Sequence, residues 1–307
     1  MKMDNKYILI AIIVLVWGFI YAGIEENRKK GINTNTETKE AISSLNDSVK
    51  MRVEGNLNIY YFNVGQADAI LLENNNKYMM IDAGNNADGE LLVKRLKEMG
   101  VSKLDYLIAT HAHEDHIGGM DDVINNFDVD NFYMPDVVTT TKTFEDLITA
   151  LENKSIAFNT PNIGEIFLFG SCKFEVLHLS DETSDLNDTS IVVRGLYGEN
   201  SFLFMGDASS NVEKKILNDN IDSDVLKVGH HGSRYSSSVN FLKKVTPDYS
   251  IISVGEDNSY NHPHSVTITK LKDNGSQIFR TDLDGTIFVS SDGKTVKVEK
   301  LDINLNG

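Results

Sequence analysis

The sequence predicts an α/β protein in which two β-sheets pack face to face and helices cover their outer faces. Two observations support this fold class. Short apolar segments that alternate with helix-like segments begin at Asn58. The order hairpin, helix, strand and histidine loop also occurs twice, over residues 58–119 and again over residues 190–233. Two such units facing each other would bring the loops that follow their strands to one common edge.

The first unit begins with three predicted strands and ends in a histidine-rich loop. Apolar and β-forming residues predict the strands Asn58–Phe62, Ala69–Glu73 and Tyr78–Asp82. Asn74–Asn76 is the expected turn between the last two strands. Asp88 can cap a helix that Gly100 ends, and Leu104–Thr110 follows as a buried strand. The histidines therefore stand on a loop at the end of a strand, where rigid scaffolds present chemistry.

The second unit repeats this order. Its hairpin consists of the predicted strands Ser190–Arg194 and Ser201–Met205. The hairpin ends at Asp207, and a helix-like segment follows. The next strand leads from Asp224 to His230, the same six-residue step that separates Asp105 from His111. These shared positions favour an internal repeat over chance similarity, and they predict that both histidine loops meet at one edge.

The loop Thr110–Gly119 concentrates side chains that bind divalent metals. Imidazole and carboxylate ligands suit zinc or manganese, and Asp207 can bridge two ions through its two oxygens. The repeat adds His230 to the same edge. The sequence therefore predicts one or two zinc or manganese ions, with the ligands His111, His113, Asp115, His116, Asp207 and His230. The alternative is a solvated polar loop, which would gather three of the eight histidines here by chance.

Other polar residues are candidates for substrate binding and proton transfer. Asp82 is expected to orient a ligand rather than to bind the metal. His231 can orient a ligand, contact the substrate or donate a proton, and His262 can contact an anion at a helix entry or act as the acid. Ser233 and Arg234 can contact a phosphate. An ordinary polar loop is the alternative for these loop positions.

Composition restricts the class of partner. The chain has a formal charge of −16, and residues 1–52 hold eight basic and six acidic residues. The remainder has 21 basic and 39 acidic residues, a formal charge of −18. Such a surface repels nucleic acid unless bound metal and local basic residues offset it. The single cysteine, Cys172, excludes an intramolecular disulfide and a cysteine-rich metal site, and its alternating context predicts a packing thiol.

The N-terminal residues predict a membrane segment and a linker. Residues 7–24 form an uncharged stretch of eighteen residues, just long enough to span a bilayer. Residues 1–24 are therefore expected to be a single-pass anchor in the cell membrane, with a cleaved signal peptide and secretion as the alternative. Residues 25–53 read as a flexible polar linker, and residues 54–307 as the folded domain. The domain is expected outside the cytoplasm, although basic residues on both sides of the span leave its orientation open.

The pattern His-x-His-x-Asp-His, the later Gly-Asp and the final histidine loop resemble the metallo-β-lactamase superfamily over about residues 57–298. Three stretches are similar to the hydrolase domain of ComEC-type DNA-uptake proteins and their stand-alone relatives: Asn63–Asp68, Phe204–Ala208 and Leu226–Ser233. The resemblance implies a four-layer αββα sandwich and a divalent-metal hydrolase. Many superfamily enzymes carry a further ligand histidine between the two halves. Here Asn187 or Asp188 takes its place, so Asp188 is a further candidate ligand.

Together with the expected N-terminal anchor, the resemblance predicts a membrane-anchored enzyme whose leading activity is hydrolysis of a phosphodiester by a metal-bound hydroxide. Asp115 is the residue expected to position that nucleophile. The expected substrate is a phosphoester, and the acidic surface weakens the case for nucleic acid. A phosphorylcholine ester or a lactone is one alternative substrate, and a non-catalytic anchored binding module is the alternative to an enzyme. With one expected span, DNA import is not implied, and the sequence does not indicate an oligomeric state.

Overall fold

The computed structural model describes residues 55–181 and 184–301, which form two large β-sheets, a small two-stranded sheet of β4 and β6, and their flanking helices. The strands are β1 (Leu57–Tyr61), β2 (Ala69–Asn74), β3 (Lys77–Ala83), β4 (Lys103–Leu104), β5 (Tyr106–Ile108), β6 (Asp128–Val129), β7 (Phe132–Tyr133), β8 (Phe158–Asn159), β9 (Ile166–Phe169), β10 (Cys172–His178), β11 (Val192–Tyr197), β12 (Asn200–Phe204), β13 (Val225–Lys227), β14 (Tyr249–Ile252), β15 (Gln277–Arg280), β16 (Thr286–Ser291) and β17 (Val296–Leu301). The helices are α1 (Gly89–Glu98), α2 (Glu114–Ile117), α3 (Met120–Asn126), α4 (Lys142–Lys154), α5 (Ser210–Ile216), α6 (Val239–Val245), α7 (Ser265–Asp273) and α8 (Thr281–Asp284).

The first sheet has eight strands in the order β17-β16-β1-β2-β3-β5-β7-β8, and the second has seven in the order β15-β14-β13-β12-β11-β10-β9. Alternate residues of both sheets fill the space between them, including Ile59, Phe174 and Phe204. Cys172 is buried in the same core, as the sequence predicted for a packing thiol. The opposite alternation on the second sheet, including Leu203 and Leu226, packs against α5, α6 and α7. On the first sheet, α3 packs against β3 and between α1 and α4. The predicted αββα sandwich is confirmed.

The repeated unit is visible in the strand pairing. In the first sheet, β2 and β3 form an antiparallel hairpin, and β5 joins β3 in parallel. In the second sheet, β11 and β12 form the hairpin, and β13 joins β12 in parallel. Each parallel pair needs a crossover connection, which α1 supplies in the first unit and α5 in the second. Ser209 accepts a hydrogen bond from the Asn211 amide and so caps the N-terminus of α5.

Two predicted elements differ from the structure. The strand predicted over Leu104–Thr110 is divided into β4 and β5, because the Asp105 carboxylate turns back to accept from the Tyr78 amide and Lys77 Nζ. Near the C-terminus, the turn pairs Asp284-Gly285 and Asp292-Gly293 predict a final hairpin from Asp282 to Lys297. Asp282 instead lies in α8, and the hairpin consists of β16 and β17. The Asp284 carboxylate accepts from the Arg280 amide and stabilises this helical turn.

The predicted membrane segment and linker lie outside the described residues. Within residues 55–181 and 184–301, no helix combines the length and the apolar character needed to cross a bilayer.

Close backbone packing holds the histidine loop against the end of β3. The Gly118 amide donates to the Gly84 carbonyl at 2.9 Å, and a Cβ at Gly118 would stand 2.2 Å from the backbone of Asn85 and Asn86. We therefore expect Gly118→Ala to lower the free energy of unfolding by about 3 kcal/mol or more, since the loop must move to accommodate the methyl group. Denaturant unfolding in the presence of a chelator measures this without any contribution from bound metal.

Lys94→Ala is the control for Gly118→Ala, because Lys94 lies on the exposed face of α1. Lys94→Ala should change the free energy of unfolding by no more than about 0.5 kcal/mol. Equal unfolding midpoints for Gly118→Ala and the parent chain would show that the loop is not held as tightly as described.

Candidate metal centre

Three segments bring histidine and aspartate side chains to one edge of the two sheets. The loop after β5, the turn after β12 and the turn after β13 carry His111, His113, Asp115, His116, Asp207, His230 and His231. Because β5 runs parallel to β3 and β13 runs parallel to β12, the carboxyl ends of the two strands point the same way within each sheet. Such strand ends are where α/β sheets bind their ligands.

Four of these side chains converge. The donor atoms of Asp115, His116, Asp207 and His231 lie within 4.8 Å of one another. His116 Nε2 is 3.4 Å from Asp207 Oδ1, and His231 Nε2 is 3.3 Å from Asp115 Oδ2. Three of the facing atoms are buried and have no hydrogen-bonding partner among the described residues: His116 Nε2, Asp207 Oδ1 and His231 Nε2. Polar atoms buried without partners are costly, and a divalent cation among them would satisfy all three. The donor set fits zinc or manganese.

Hydrogen bonds on the far side of both rings fix which nitrogen faces the centre. His116 Nδ1 lies 2.7 Å from Asp82 Oδ2, and His231 Nδ1 lies 2.8 Å from the Ser253 carbonyl oxygen. Because both partners are acceptors, each Nδ1 carries the hydrogen, and each Nε2 can present a lone pair to a metal. Asp82 is also held in place, since it accepts from the amide and the hydroxyl of Thr110 at 2.8 and 2.7 Å. Asp82 thus contacts the His116 ring from behind.

The charges of the group reinforce one another. Burial opposes the charged imidazole, but the carboxylates of Asp207, Asp82 and Asp115 outweigh it and hold the pKa of His116 well above 6.5. For His231, burial is likewise outweighed, mainly by Asp207, and its pKa is also raised. Burial would raise the pKa of Asp207, but the charges of His231 and His116 hold it well below 3.8. The neighbouring charges thus favour the imidazolium forms of His116 and His231 and the carboxylate form of Asp207.

The first two histidines of the motif form a separate pair. His111 Nε2 lies 2.9 Å from His113 Nδ1, and the rings meet edge to face. Burial, reinforced by the charge of His116, lowers the pKa of His111 well below 6.5, so His111 is neutral and can act as a ligand. Within the part of the chain that the structure describes, no third His, Cys, Asp or Glu completes a metal-binding group with this pair. A second ion at His111 and His113 would therefore have fewer protein ligands than one held by the converging group.

The structure places His231, and not His230, in the converging group. The repeat predicted His230 as the ligand, yet His231 belongs to the converging group and its side chain is 2% exposed. His230 is 25% exposed, and its Nε2 lies 3.7 Å from Asp207 Oδ2. The reason is in the backbone: both residues adopt a φ of 50°, in the left-handed region, so the chain turns sharply and directs the second ring inwards.

The converging group borders an open cavity of about 340 Å³. The other residues that line it are Gln66, His113, Glu114, Asn187, His230, Tyr260 and His262. Asn187 Oδ1 is buried and has no hydrogen-bonding partner among the described residues, so it can supply an oxygen ligand. The Asp188 carboxylate instead accepts from the Ser209 amide at 3.0 Å. Of the two residues that stand in for the superfamily histidine, the cavity therefore contains Asn187 and not Asp188.

Ser233 and Arg234 do not line this cavity, contrary to the predicted phosphate contacts. Ser233 is buried in its own turn, where its hydroxyl accepts from the Tyr235 amide at 3.3 Å. Arg234 is exposed, and its amide donates to His264 Nδ1 at 3.2 Å. The same sharp turn that directs His231 inwards carries the following residues away from the cavity. His262 does line the cavity, and its ring stacks on that of Tyr260.

Two buried charged residues beside the converging group were not predicted from the sequence. Asp68 precedes β2, Lys227 ends β13, and Lys227 Nζ lies 2.6 Å from Asp68 Oδ2. A usable signal was present, because a lysine inside the apolar strand that leads to His230 needs a buried partner. Both residues also lie in stretches that resemble the ComEC-type relatives.

Comparison with known proteins agrees with this geometry. A family model described as the metallo-beta-lactamase superfamily matches residues 62–256. The chain is 32% identical over 203 residues to ComE operon protein 3 of Bacillus subtilis, and 27% identical over 253 residues to competence protein ComA of Neisseria gonorrhoeae. These matches cover 64% and 78% of this chain, but 26% and 33% of the two relatives. The chain thus spans about a quarter to a third of the length of these relatives.

Solved structures show the same fold at low sequence identity. The metallo-beta-lactamase fold protein YhfI of Bacillus subtilis has a TM-score of 0.54 and 10% identity, covering 77% of this chain and 100% of that one. Igni18, a metallo hydrolase from the archaeon Ignicoccus hospitalis, has a TM-score of 0.53 and 15% identity, covering 75% of this chain and 98% of that one. The family match, the competence-protein relatives and the αββα fold with its converging ligands agree, and the chain belongs to the metallo-β-lactamase superfamily.

Proposed function

We propose that this chain is a divalent-metal-dependent phosphodiesterase that is anchored in the cell membrane through residues 7–24. The observation that carries the enzymatic part is the set of buried donor atoms without partners, which face an open cavity. A merely structural metal site would be closed by protein on all sides, whereas a catalytic one keeps a position open to substrate.

The chemistry follows from the residues around the opening. Asp115, His116, Asp207 and His231 would hold one ion, and His111 and His113 with Asn187 would hold a second. A bound divalent ion lowers the pKa of a coordinated water from about 15.7 to about 7 and polarises a phosphoryl oxygen. The Asp115 side chain is 29% exposed, the most accessible carboxylate of the converging group, so it can accept a hydrogen bond from the attacking water.

The proton for the leaving oxygen is better assigned to His230 than to His231 or His262. Both nitrogens of His231 are committed, one to Ser253 and one to the converging group. Burial and the neighbouring imidazoles of His231 and His230 lower the pKa of His262 to about 4. His262 is therefore neutral at pH 7 and suits a hydrogen bond to a phosphate oxygen rather than proton delivery. His230 lines the cavity and is partly exposed, so its ring stands where it can reach a leaving oxygen.

The cavity favours a small phosphoester over a polynucleotide. None of the described residues that line it is a lysine or an arginine, so only imidazoles and bound metal can offset phosphate charge. The chain after residue 52 carries a formal charge of −18, and long nucleic acids rely on many lysine and arginine contacts to their phosphates. A phosphorylcholine ester or a lactone would use the same metal chemistry.

The metal itself is the first test. We expect the chain, purified without chelator, to retain about one zinc or manganese ion, with a second bound more weakly, and Asp207→Asn to lose the first. Asp207 supplies a buried carboxylate oxygen to that site, and an amide cannot replace its charge. Elemental analysis measures the stoichiometry. Asp188→Asn is the matched control and should keep its metal, because the Asp188 carboxylate accepts from the Ser209 amide. A parent chain without stoichiometric metal, inactive after either ion is added, would contradict the proposal.

Asp115→Ala tests the assignment of the nucleophile. At saturating metal, turnover of a small phosphodiester should fall by at least about a hundredfold, the scale of losing one charged transition-state contact. KM should change far less, because His230 and His262 still contact the phosphate. The neighbouring Glu114→Ala is the control: Glu114 also lines the cavity but is exposed and lies outside the converging group. Near-normal turnover by Asp115→Ala would make the assignment wrong, and a parent that cleaves only lactones would overturn the substrate class.

The anchor is tested by fractionation. The full chain should sediment with membranes, whereas residues 54–307 should stay in the supernatant and unfold cooperatively, because the folded domain is expected to begin there. Sedimentation of both forms with membranes would contradict an anchor confined to the N-terminal residues.

A further inference from the structure

Asp68 and Lys227 form a buried ion pair directly behind the metal ligands. Lys227 Nζ lies 2.6 Å from Asp68 Oδ2, both side chains are 1% exposed, and Lys227 also donates to the Val228 carbonyl at 3.2 Å. Asp68 immediately precedes β2 of the first sheet and Lys227 ends β13 of the second, so the pair joins the two halves of the fold. The free energy needed to remove two charges from water can exceed the free energy gained from their attraction. Apolar side chains of similar size often stabilise a fold equally well. A purely structural role is therefore a weak explanation for this pair.

Asp68 contacts two of the three segments that carry the converging group, namely the histidine loop after β5 and the turn after β13. Its amide donates to the Asp115 carbonyl at 3.0 Å, and its carbonyl accepts from the Gly84 amide at 2.8 Å. Its carboxylate oxygens lie 3.6 Å from His231 Nδ1 and 4.0 Å from His116 Nδ1. One residue thus holds the backbone of the histidine loop and stands on the Nδ1 side of both ligand imidazoles.

The carboxylate of Asp68 acts on these rings through its charge. Asp68 Oδ1 is buried and has no hydrogen-bonding partner in the described parts of the chain. The two Nδ1 hydrogens go to other acceptors, Ser253 for His231 and Asp82 for His116. A negative charge behind an imidazole makes its opposite nitrogen a stronger metal ligand. Without a nearby cation, however, a third buried carboxylate would repel Asp82 and Asp207. Lys227 supplies that cation.

We propose that the Asp68–Lys227 pair is a positioning device for the metal ligands. Asp68 orients the Asp115 loop and strengthens His116 and His231 as ligands, while Lys227 holds the Asp68 carboxylate in place and balances its charge. The inference rests on the proposed metal site and adds two positioning residues to it.

Zinc affinity of the full chain tests this pair without reference to activity. Competition with a chromophoric chelator measures the affinity, and the visible absorption of bound Co²⁺ reports the ligand geometry. Asp68→Asn should weaken zinc binding by about a hundredfold, since the Lys227 ammonium is then left unbalanced beside the cation, and the Co²⁺ spectrum should change. The double variant Asp68→Asn/Lys227→Met removes both charges, and its zinc affinity should fall by about tenfold. Losses of about tenfold to about a hundredfold in metal affinity are typical for residues that orient metal ligands.

The double variant also separates positioning from folding. Its zinc-free form should unfold at the same temperature as the parent or higher, because neutral side chains replace a buried ion pair without leaving a charge behind. If Asp68→Asn alone does not fold, the zinc affinity of the double variant still tests whether the pair positions the metal ligands. The control is Arg280→Met/Asp282→Asn, which removes an ion pair of 2.5 Å between β15 and α8 and should keep the parent's zinc affinity.

Two results overturn the inference in distinguishable ways. A double variant that binds zinc as tightly as the parent, with the parent's Co²⁺ spectrum, makes the pair structural only and leaves the proposed function intact. A parent chain that binds no zinc removes the metal site, and with it both the proposed function and this inference.

Discussion

The candidate metal site depends on a balance of charge where the strand ends of the two sheets meet. Asp115 and Asp207 bring two carboxylates into a group whose donor atoms lie within 4.8 Å of one another. Carboxylates this close, one of them fully buried, repel unless positive charge separates them. In the protein alone the carboxylates raise the pKa of His116 and of His231 and so favour imidazolium forms that supply this charge. A divalent ion does so more effectively, because it leaves both imidazoles neutral and satisfies the buried atoms that otherwise have no partner.

The two-sheet architecture makes this crowding possible. An apolar core between the sheets fixes the strands, so the loops at their carboxyl ends cannot move apart to relieve the repulsion. The hydrogen bonds behind the ligands act in the same direction, with Asp82 fixing His116 and Ser253 fixing His231. The chain spans only part of the length of its competence-protein relatives, so the activity of those longer proteins does not carry over to it. The chemistry of this site is the basis for its proposed activity.

The sequence predicted the parts of the site that depend on local pattern. The dense motif Thr110–Gly119 and the repeated hairpin, helix and strand were enough to place Asp115, His116 and Asp207 at one edge. They were not enough to separate His230 from His231, because that choice depends on two successive left-handed backbone conformations that no periodicity reveals. Asp188 was likewise indistinguishable from Asn187 in sequence, since a single turn decides which side chain enters the cavity.

Long-range polar contacts were the part that sequence reasoning could not supply. Asp68 and Lys227 are 159 positions apart and meet only because the two sheets pack face to face. The division of the strand before the histidine loop had the same origin, because Asp105 is held by residues of the neighbouring strand β3. Buried charges of this kind become interpretable only when their partners are visible.

The proposed ion is held by Asp115, His116, Asp207 and His231 at the edge of the cavity. Anomalous diffraction at the zinc edge from crystals of the zinc-loaded protein locates it directly. The strongest anomalous peak should lie among these four side chains, within bonding distance of Nε2 of both His116 and His231. A single peak bound by His111 and His113 alone, or no peak at this edge of the sheets, would contradict it.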